Sequence, residues 1–459
     1  MYTLTADTNE YYFVWDRPLA ENNYNLMDSR FAGRFAPGSN SLIPFCKQTG
    51  DCKDASLTEA KKLKKFIYQI GTLGSPANWF GGYRTGQRVN LFDVIQLSRP
   101  IVMKALQERR AILHIDQGWE GFPLMQNKTI LDVDVIPSDY DSLLYTRYVN
   151  EPKNFYDVFY HNCEAYNILP SQIIITTSNL LEKQIHDKYY SDKQHKLNIV
   201  SSIPFCGLLK FHNQEDSISF EEQIKYKSDT TEMKSFSCLN RVTRQHRIAL
   251  CVMLNYYNLL DPKISDISHS AHLGGHPGLS KEPIKPEHAI PYDWDSHPAF
   301  TSDNIDSFIK KLPCVLDQSD FNQNHVWTMF KETYLRTWFS LIPETAFNEE
   351  RETACFLSEK IFKPMICHQP FVLAGHPNSL AQLKQLGFKT FDTWWDESYD
   401  TIVTPTARMD AICKLTQELK NKSNAEWLEM YKDMQEVLEH NYKHLDEMGL
   451  IDYSESLNV

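Results

Sequence analysis

Residues Lys234–Tyr257 read K-S-F-S-C-L-N-R-V-T-R-Q-H-R-I-A-L-C-V-M-L-N-Y-Y, and this stretch decides the fold. Lys234–Leu239 has the short apolar pattern of a buried strand, and Ile248–Tyr257 reads as a helix apolar on most faces. Between them lies Asn240-Arg241-Val242-Thr243-Arg244-Gln245-His246-Arg247, which ends the strand and opens the helix. A strand passing through a tight basic turn straight into a helix is half of a βαβ unit. Such a turn combines guanidinium forks with unpaired backbone N–H groups and the positive helix end, a combination suited to a diphosphate. The same octapeptide also reads as a solvated basic helix start anchored by local acids.

Outward from this stretch, apolar strand patterns alternate with helical ones. In the first half Lys65–Thr72, Ala111–Asp116 and Gln172–Thr177 read as strands, with helices over Leu91–Arg109, Tyr156–Asn167 and 179–190. In the second half Tyr334–Pro343 and Pro370–Ala374 read as strands, and Lys389–Phe391 begins another. Ser358–Cys367 reads as a helix capped by Ser358, and Ser379–Leu386 as one stopped by Gly387. Arg408–Met448 gives one or two amphipathic helices, broken near Asn421–Asn424. Strands alternating with helices indicate parallel sheets. The expected class is α/β, with two doubly wound, Rossmann-like domains facing across a cleft at the carboxyl ends of their strands. The boundaries expected are an irregular N-terminal extension at 1–60, a first domain at 61–230 and a second at 231–405, with a hinge near 225–235. C-terminal helices fill 406–459, and the Pro/Gly/His-rich stretch 262–300 is expected as a surface excursion without packed structure of its own.

Composition removes several classes. The chain has 459 residues, 42% of them hydrophobic, so it has enough apolar surface for two or three cores and is neither disordered nor a small stapled scaffold. Its 59 acidic against 47 basic side chains leave a charge of −12, which disfavours extended contact with nucleic acid. No apolar run reaches the ~18 residues of a membrane span, and M-Y-T-L-T-A-D-T-N-E-Y-Y lacks the basic start and apolar core of a secretory signal. The ten cysteines are scattered, mostly in apolar runs and without C-x-x-C, which fits a reduced, cytoplasmic protein. Fifty-seven aromatics against 17 glycines is a tilt that composition alone leaves unexplained.

A second constellation runs from 344 to 376: P-E-T-A-F, then F-L-S-E-K-I-F-K-P, then Q-P-F-V-L-A-G-H-P. It sets Glu344 at a strand end, Ser358 at a cap, Glu359 and Lys360 in the first helical turn, and Lys363 one turn on. A carboxylate there accepts two ribose hydroxyls while the lysines neutralise phosphate. Equally, this is a helix start with a dipole-favoured acid and an i,i+4 ion pair.

The order of basic cluster, E-T, S-E-K-x-x-K-P, buried strand and glycine resembles the donor-binding domain of two-domain GT-B glycosyltransferases, and is similar to the fucosyltransferase pattern. The string S-E-K-I-F-K-P, Q-P-F-V-L-A-G and L-G-F-K-T-F-D-T-W-W-D-E-S-Y-D also resembles proteins of marine tailed bacteriophages. The resemblance covers residues 234–400. It implies GT-B architecture and a donor site in which Arg241, Arg244 and Arg247 hold the diphosphate, Glu359 the ribose, and Lys360 the phosphate side. Asn240, His246, Glu344, Ser358 and Lys363 complete the expected donor set. Pro343-Glu344-Thr345 stands where fucosyltransferases carry E-N, and Ser358 where they carry threonine, so the identity of the sugar does not transfer.

For the acceptor side, Asp116-Gln117-Gly118-Trp119-Glu120-Gly121 follows a strand of the first block. Trp119 offers a flat face to a sugar, and Glu120 or Asp116 can take the acceptor proton if the reaction inverts. Trp394 is a further acceptor candidate. Retention would instead rely on the arginines, Arg241 first, to assist the leaving group. The expectation is a metal-independent glycosyltransferase with a nucleotide-diphosphate sugar as co-substrate, no cofactor, and a glycan, a protein or a modified DNA base as acceptor. Asp132-Val133-Asp134 reads as a strand with exposed acids rather than a metal site. His269, His272, His276, His288 and His297 read as a solvated loop, with a zinc-dependent hydrolase as the rival. The other rival is a non-catalytic glycan- or nucleotide-binding viral protein of the same fold.

Overall fold

The computed structural model describes residues 12–15, 53–56, 59–71, 91–117, 124, 155–201, 203, 216–240, 243–273, 282–289, 297–314, 329–347 and 354–447. These form two compact units, and the chain passes from the first to the second between Ile203 and Asp216. Among the described residues, no helix is long and apolar enough to cross a membrane.

The first unit is built on β1 (Tyr12–Trp15), β2 (Lys53–Ser56), β3 (Phe66–Gly71), β4 (Ala111–Gln117), β5 (Ile173–Thr177) and β6 (Asn198–Ser201). All pair in parallel, in the order β2-β1-β3-β4-β5-β6. The expectation of an irregular extension over 1–60 is therefore corrected, because β1 and β2 extend the sheet. Both are only four residues long, and K-D-A-S carries no apolar run. Strand β5 is buried along its whole length, as a central parallel strand with helices on both faces must be. One polar pair sits inside the sheet: the His114 ring meets Thr176 Oγ1 at 2.7 Å, and burial lowers the imidazole pKa to about 3, so the ring is neutral. The helix expected over Leu91–Arg109 is two, α1 (Leu91–Ser98) and α2 (Pro100–Gln107). Pro100 is the cause: it lacks an N–H and disfavours helical geometry in the residue before it, and Arg99 accordingly sits at φ −138°, ψ 57°. Helices α3 (Phe155–Ala165) and α4 (Glu182–Tyr189) complete the unit, with Phe159 of α3 edge-on to Phe92 of α1 at 5.7 Å.

The second unit begins with α5 (Phe220–Asp229), upstream of the expected hinge and of the boundary at 230. Helix α5 belongs here because two of its buried side chains bond to this unit, one at the end of the helix Glu359–Ile366 and one at the start of the strand Thr337–Pro343. Gln223 Nε2 donates to Cys367 O at 2.7 Å, and Lys227 Nζ to Thr337 O at 2.7 Å. The chain continues through β7 (Lys234–Asn240), α6 (Gln245–Tyr256), β8 (Ser265–His269), α7 (Ser302–Ile309), α8 (Lys331–Leu335), β9 (Thr337–Pro343), α9 (Glu359–Ile366), β10 (Phe371–Ala374) and α10 (Ser379–Gln385). Then come α11 (Pro405–Lys420), α12 (Asn424–Asp433) and α13 (Gln435–Glu447). The sheet is parallel throughout, in the order β10-β9-β7-β8. The terminal helices are part of this core: Trp427 of α12 stacks on Trp338 and Phe339 of β9 at 5.9 and 5.5 Å.

Two expectations fail here. The stretch 262–300 contains β8, S-D-I-S-H, fully buried and paired with β7. A polar strand survives inside because its charged group and Ser265 are matched: Asp266 meets Lys234 Nζ at 2.6 Å and the Arg336 guanidinium, and Ser265 Oγ donates to Leu259 O. Conversely Lys389–Phe391 forms no strand. Asn441 of α13 takes both backbone groups of Lys389, accepting from its N–H at 2.8 Å and donating to its carbonyl at 2.9 Å, which replaces a ladder.

Candidate functional site

In the second sheet, the chain leaves β7 toward β8 on one side and returns as β9 on the other. The point between β7 and β9 is thus a topological switch, where the loops beyond the carboxyl ends of neighbouring strands diverge and leave a crevice. Two segments leave these strands here. One is the turn from Asn240 into α6, the other the segment from Glu344 that reaches α9.

Asn240 ends β7 by turning inward. Its backbone N–H donates to Ser268 Oγ at 3.2 Å, and its side-chain amide to the Cys238 and Cys251 sulfurs at 3.2 and 3.4 Å. Arg244 is the N-cap of α6, in extended conformation, with an exposed side chain. His246 and Arg247, in the first turn, are buried and converge on one acceptor. His246 Nε2 donates to Glu344 O at 3.0 Å, and Arg247 donates to the same oxygen from Nη2 at 3.0 Å and Nε at 3.3 Å. Burial pushes the His246 imidazole well below its ordinary range, helped by the Arg247 and Arg244 cations, so it acts as a neutral N–H donor. Burial and Arg244 lower the Arg247 guanidinium to about 10, which leaves it charged at neutral pH.

The Glu344 side chain is buried and caps α9. Its carboxylate accepts from Ser358 Oγ at 2.5 Å, Ser358 N–H at 3.2 Å and Thr345 N–H at 3.1 Å. Ser358 is the helix N-cap that its sequence position predicts, accepting from Lys360 N–H. Burial raises the Glu344 pKa, while Lys360 and the Ser358 bond work the other way. Gly375, just past β10, permits the close packing: a Cβ there would lie 3.0 Å from Ser379 Oγ and 3.6 Å from Glu344 Cγ.

Glu359 and Lys360 occupy the outer side of this structure. Lys360 Nζ lies 2.6 Å from Glu359 Oε1, 3.1 Å from Ser358 Oγ and 3.2 Å from Thr345 Oγ1. Burial opposes the Glu359 charge, but Lys360 and Lys363 outweigh it and hold the carboxyl at about 2. The carboxylate is therefore ionised and acceptor-only at neutral pH.

The donor set expected from sequence thus divides. His246, Arg247, Glu344, Ser358, Glu359 and Lys360 are brought into one connected group, with Lys363 close enough to act on Glu359. Of the expected set, Asn240, His246, Arg247 and Glu344 are turned on protein partners and fix the turns, Glu359 and Lys360 are half-buried and paired with each other, and Arg244 is exposed. Trp394 is not brought to this group. Its indole N–H donates to Asp433 at 2.8 Å, and its ring neighbours Phe391, itself packed on Phe371 at the opposite, N-terminal end of β10. Arg241, Trp119, Glu120, Asp132 and Asp134 lie outside the described residues, as does the side chain of Asp116, whose backbone is in β4.

Of the histidine stretch, His269 bonds Ser270 O and His297 bonds Asp410; among the described residues, no group of three His, Cys, Asp or Glu is arranged to hold a metal. Sequence reading missed Arg408, which ties the loops beyond β9 and β10. Its signal is faint: one arginine on the inward face of α11, beside Met409 and Ile412.

Fold and site together define a protein of two parallel α/β, Rossmann-like units, the second carrying a charged cluster at its switch point. Among solved structures, the chain is similar to the UDP-forming α,α-trehalose-phosphate synthase of Burkholderia vietnamiensis (8% identity, TM-score 0.39, covering 95% of this chain and 97% of that one). It is also similar to α,α-trehalose 6-phosphate synthase of Burkholderia multivorans (9%, TM-score 0.37, 97% and 96%) and to sucrose-phosphate synthase of Thermosynechococcus elongatus (10%, TM-score 0.32, 85% and 96%). No family model matches the sequence, and no curated protein matches it.

Proposed function

We propose that this protein is a metal-independent glycosyltransferase of GT-B type that takes its sugar from a nucleoside-diphosphate donor. The observation that carries the reading is the charge arrangement at the β7/β9 switch. Arg244 holds the N-cap position of α6 with its side chain exposed, and α9 opens on the pair Glu359–Lys360, in which Glu359 is an ionised carboxylate. A nucleoside diphosphate needs both signs: cations and a helix N-terminus for its phosphates, and an acceptor for its ribose hydroxyls. The fucosyltransferase-like order of the motifs supports the same assignment. Arg241 joins Arg244 on the diphosphate and assists the leaving group. His246, Arg247, Glu344 and Ser358 hold the turns that carry these groups, and Lys363 supports the charge of Glu359.

On the acceptor side, Asp116, Trp119 and Glu120 are assigned from sequence, with Glu120 as the base of an inverting transfer. Trp394 is not part of this proposal, given its place at the far end of β10. The acceptor is a glycan, a protein or a modified DNA base. The test is a panel of nucleoside diphosphates and nucleotide sugars, scored by melting temperature and by donor hydrolysis. At least one member should raise the melting temperature, and Arg244→Ala and Glu359→Ala should abolish the rise. A panel without any stabilising member overturns the reading.

A further inference from the structure

Arg408 lies in α11 and is 1% exposed, yet it belongs to none of the sequence motifs. Its guanidinium gathers carbonyls from three separate segments. Nη2 donates to Phe347 O at 2.6 Å, Nε to Gly375 O at 3.2 Å, and Nη1 to Ile402 O at 2.7 Å and Val403 O at 3.2 Å. The same guanidinium lies over the Phe347 ring, 4.2 Å from its centroid, and that ring is stacked on His246 at 5.9 Å and 15°. One planar fork therefore joins the segment after β9, the segment after β10 and the entry to α11. Through Phe347 it also reaches the first turn of α6.

We propose that Arg408 is a positioning residue for the Glu344–Phe347 segment and, through it, for the Thr345–Lys360 contact that places the outer cation of the donor site. The donor part rests on the function proposed above; the clamp itself does not. Only a guanidinium supplies donors in a rigid plane to four carbonyls while stacking on a ring. A lysine keeps the charge but satisfies fewer acceptors, and a methionine keeps the stem alone. The carbonyls of Phe347 and Gly375 lose their shared partner in either variant, and the segment bearing Thr345 is released.

The experiment compares Arg408→Lys, Arg408→Met and Lys227→Met in the full chain. Lys227 is the matched control: it too is a buried basic side chain donating to three carbonyls, of Tyr334, Leu335 and Thr337, but at the opposite, N-terminal edge of β9. All three variants are expected to melt lower. Amide hydrogen exchange separates them, since Thr345 N–H and Ser358 N–H are both held by the Glu344 carboxylate. Both Arg408 variants should exchange at least about tenfold faster at these amides under native conditions, and Lys227→Met should change them less than about twofold. If Arg408→Met does not fold, Arg408→Lys carries the comparison. Unchanged exchange in a folded Arg408 variant, or equal acceleration in Lys227→Met, overturns the clamp. A second arm measures affinity for a nucleoside diphosphate, expected to weaken at least about tenfold in Arg408→Lys and less than about twofold in Lys227→Met. Accelerated exchange with an unchanged affinity overturns the link to the donor, and a wild-type protein that binds no nucleotide overturns the functional reading while the exchange result stands.

Discussion

The Ser358 hydroxyl donates to the Glu344 carboxylate across 2.5 Å, with both residues buried, and this joins the end of β9 to the start of α9. The serine is simultaneously the helix cap and a ligand of the acid that fixes the helix. Ser358→Ala should therefore destabilise by more than an ordinary cap loss, about 2 kcal/mol or above, because a buried carboxylate loses a donor along with the helix. Chemical denaturation measures this, and Ser358→Thr should recover most of it.

Glu359 gives the site a pH signature. Its folded pKa, about 2, lies below the ordinary 4.5, so its contribution is present above the unfolded value and is lost as pH falls from 4.5 toward 2. Removing the carboxylate with Glu359→Gln should flatten stability against pH across that window by on the order of 1–3 kcal/mol. Glu344 has the opposite sign, since burial raises its pKa and its contribution weakens as pH rises. A wild-type slope that survives in Glu359→Gln would contradict the assignment.

The arginines of the octapeptide should separate by phenotype. Arg247 is buried on Glu344 O, so Arg247→Ala should cost at least about 2 kcal/mol of stability. Arg244 is exposed, so Arg244→Ala should stay within about 0.5 kcal/mol of wild type and show its effect on nucleotide affinity instead. Urea titration together with a binding assay on both variants checks the division.

Asn441 substitutes for a strand partner at Lys389, and Asn441→Leu should leave that N–H and carbonyl without it. The expected loss is about 2–3 kcal/mol, read by denaturant unfolding. Asn441→Asp, which keeps the acceptor but not the donor, should fall in between.

The alternation of strands and helices was legible because parallel strands covered on both faces read as apolar runs, as in Ile173–Ile175 and, at a sheet edge, Phe371–Ala374. Strand β8 was not, because its burial depends on Lys234 and Arg336, which come from outside it and neutralise Asp266. Likewise the residue types of the donor cluster were visible, but their division of labour was not. That His246 and Arg247 turn inward follows from Glu344 O, nearly a hundred positions away in sequence, and no local spacing encodes that meeting. The short strands β1 and β2 were hidden for a simpler reason, since four residues give too little period to detect.

The proposed function requires the β7/β9 switch to hold a nucleoside diphosphate through Arg244, Lys360 and Glu359. Titration calorimetry with matched nucleoside mono- and diphosphates tests it most directly. A diphosphate should bind at least about tenfold more tightly than its monophosphate, Arg244→Ala should remove this preference, and Glu359→Gln should weaken both ligands alike through the ribose. Equal affinity for mono- and diphosphate, or a preference unchanged in Arg244→Ala, would contradict it.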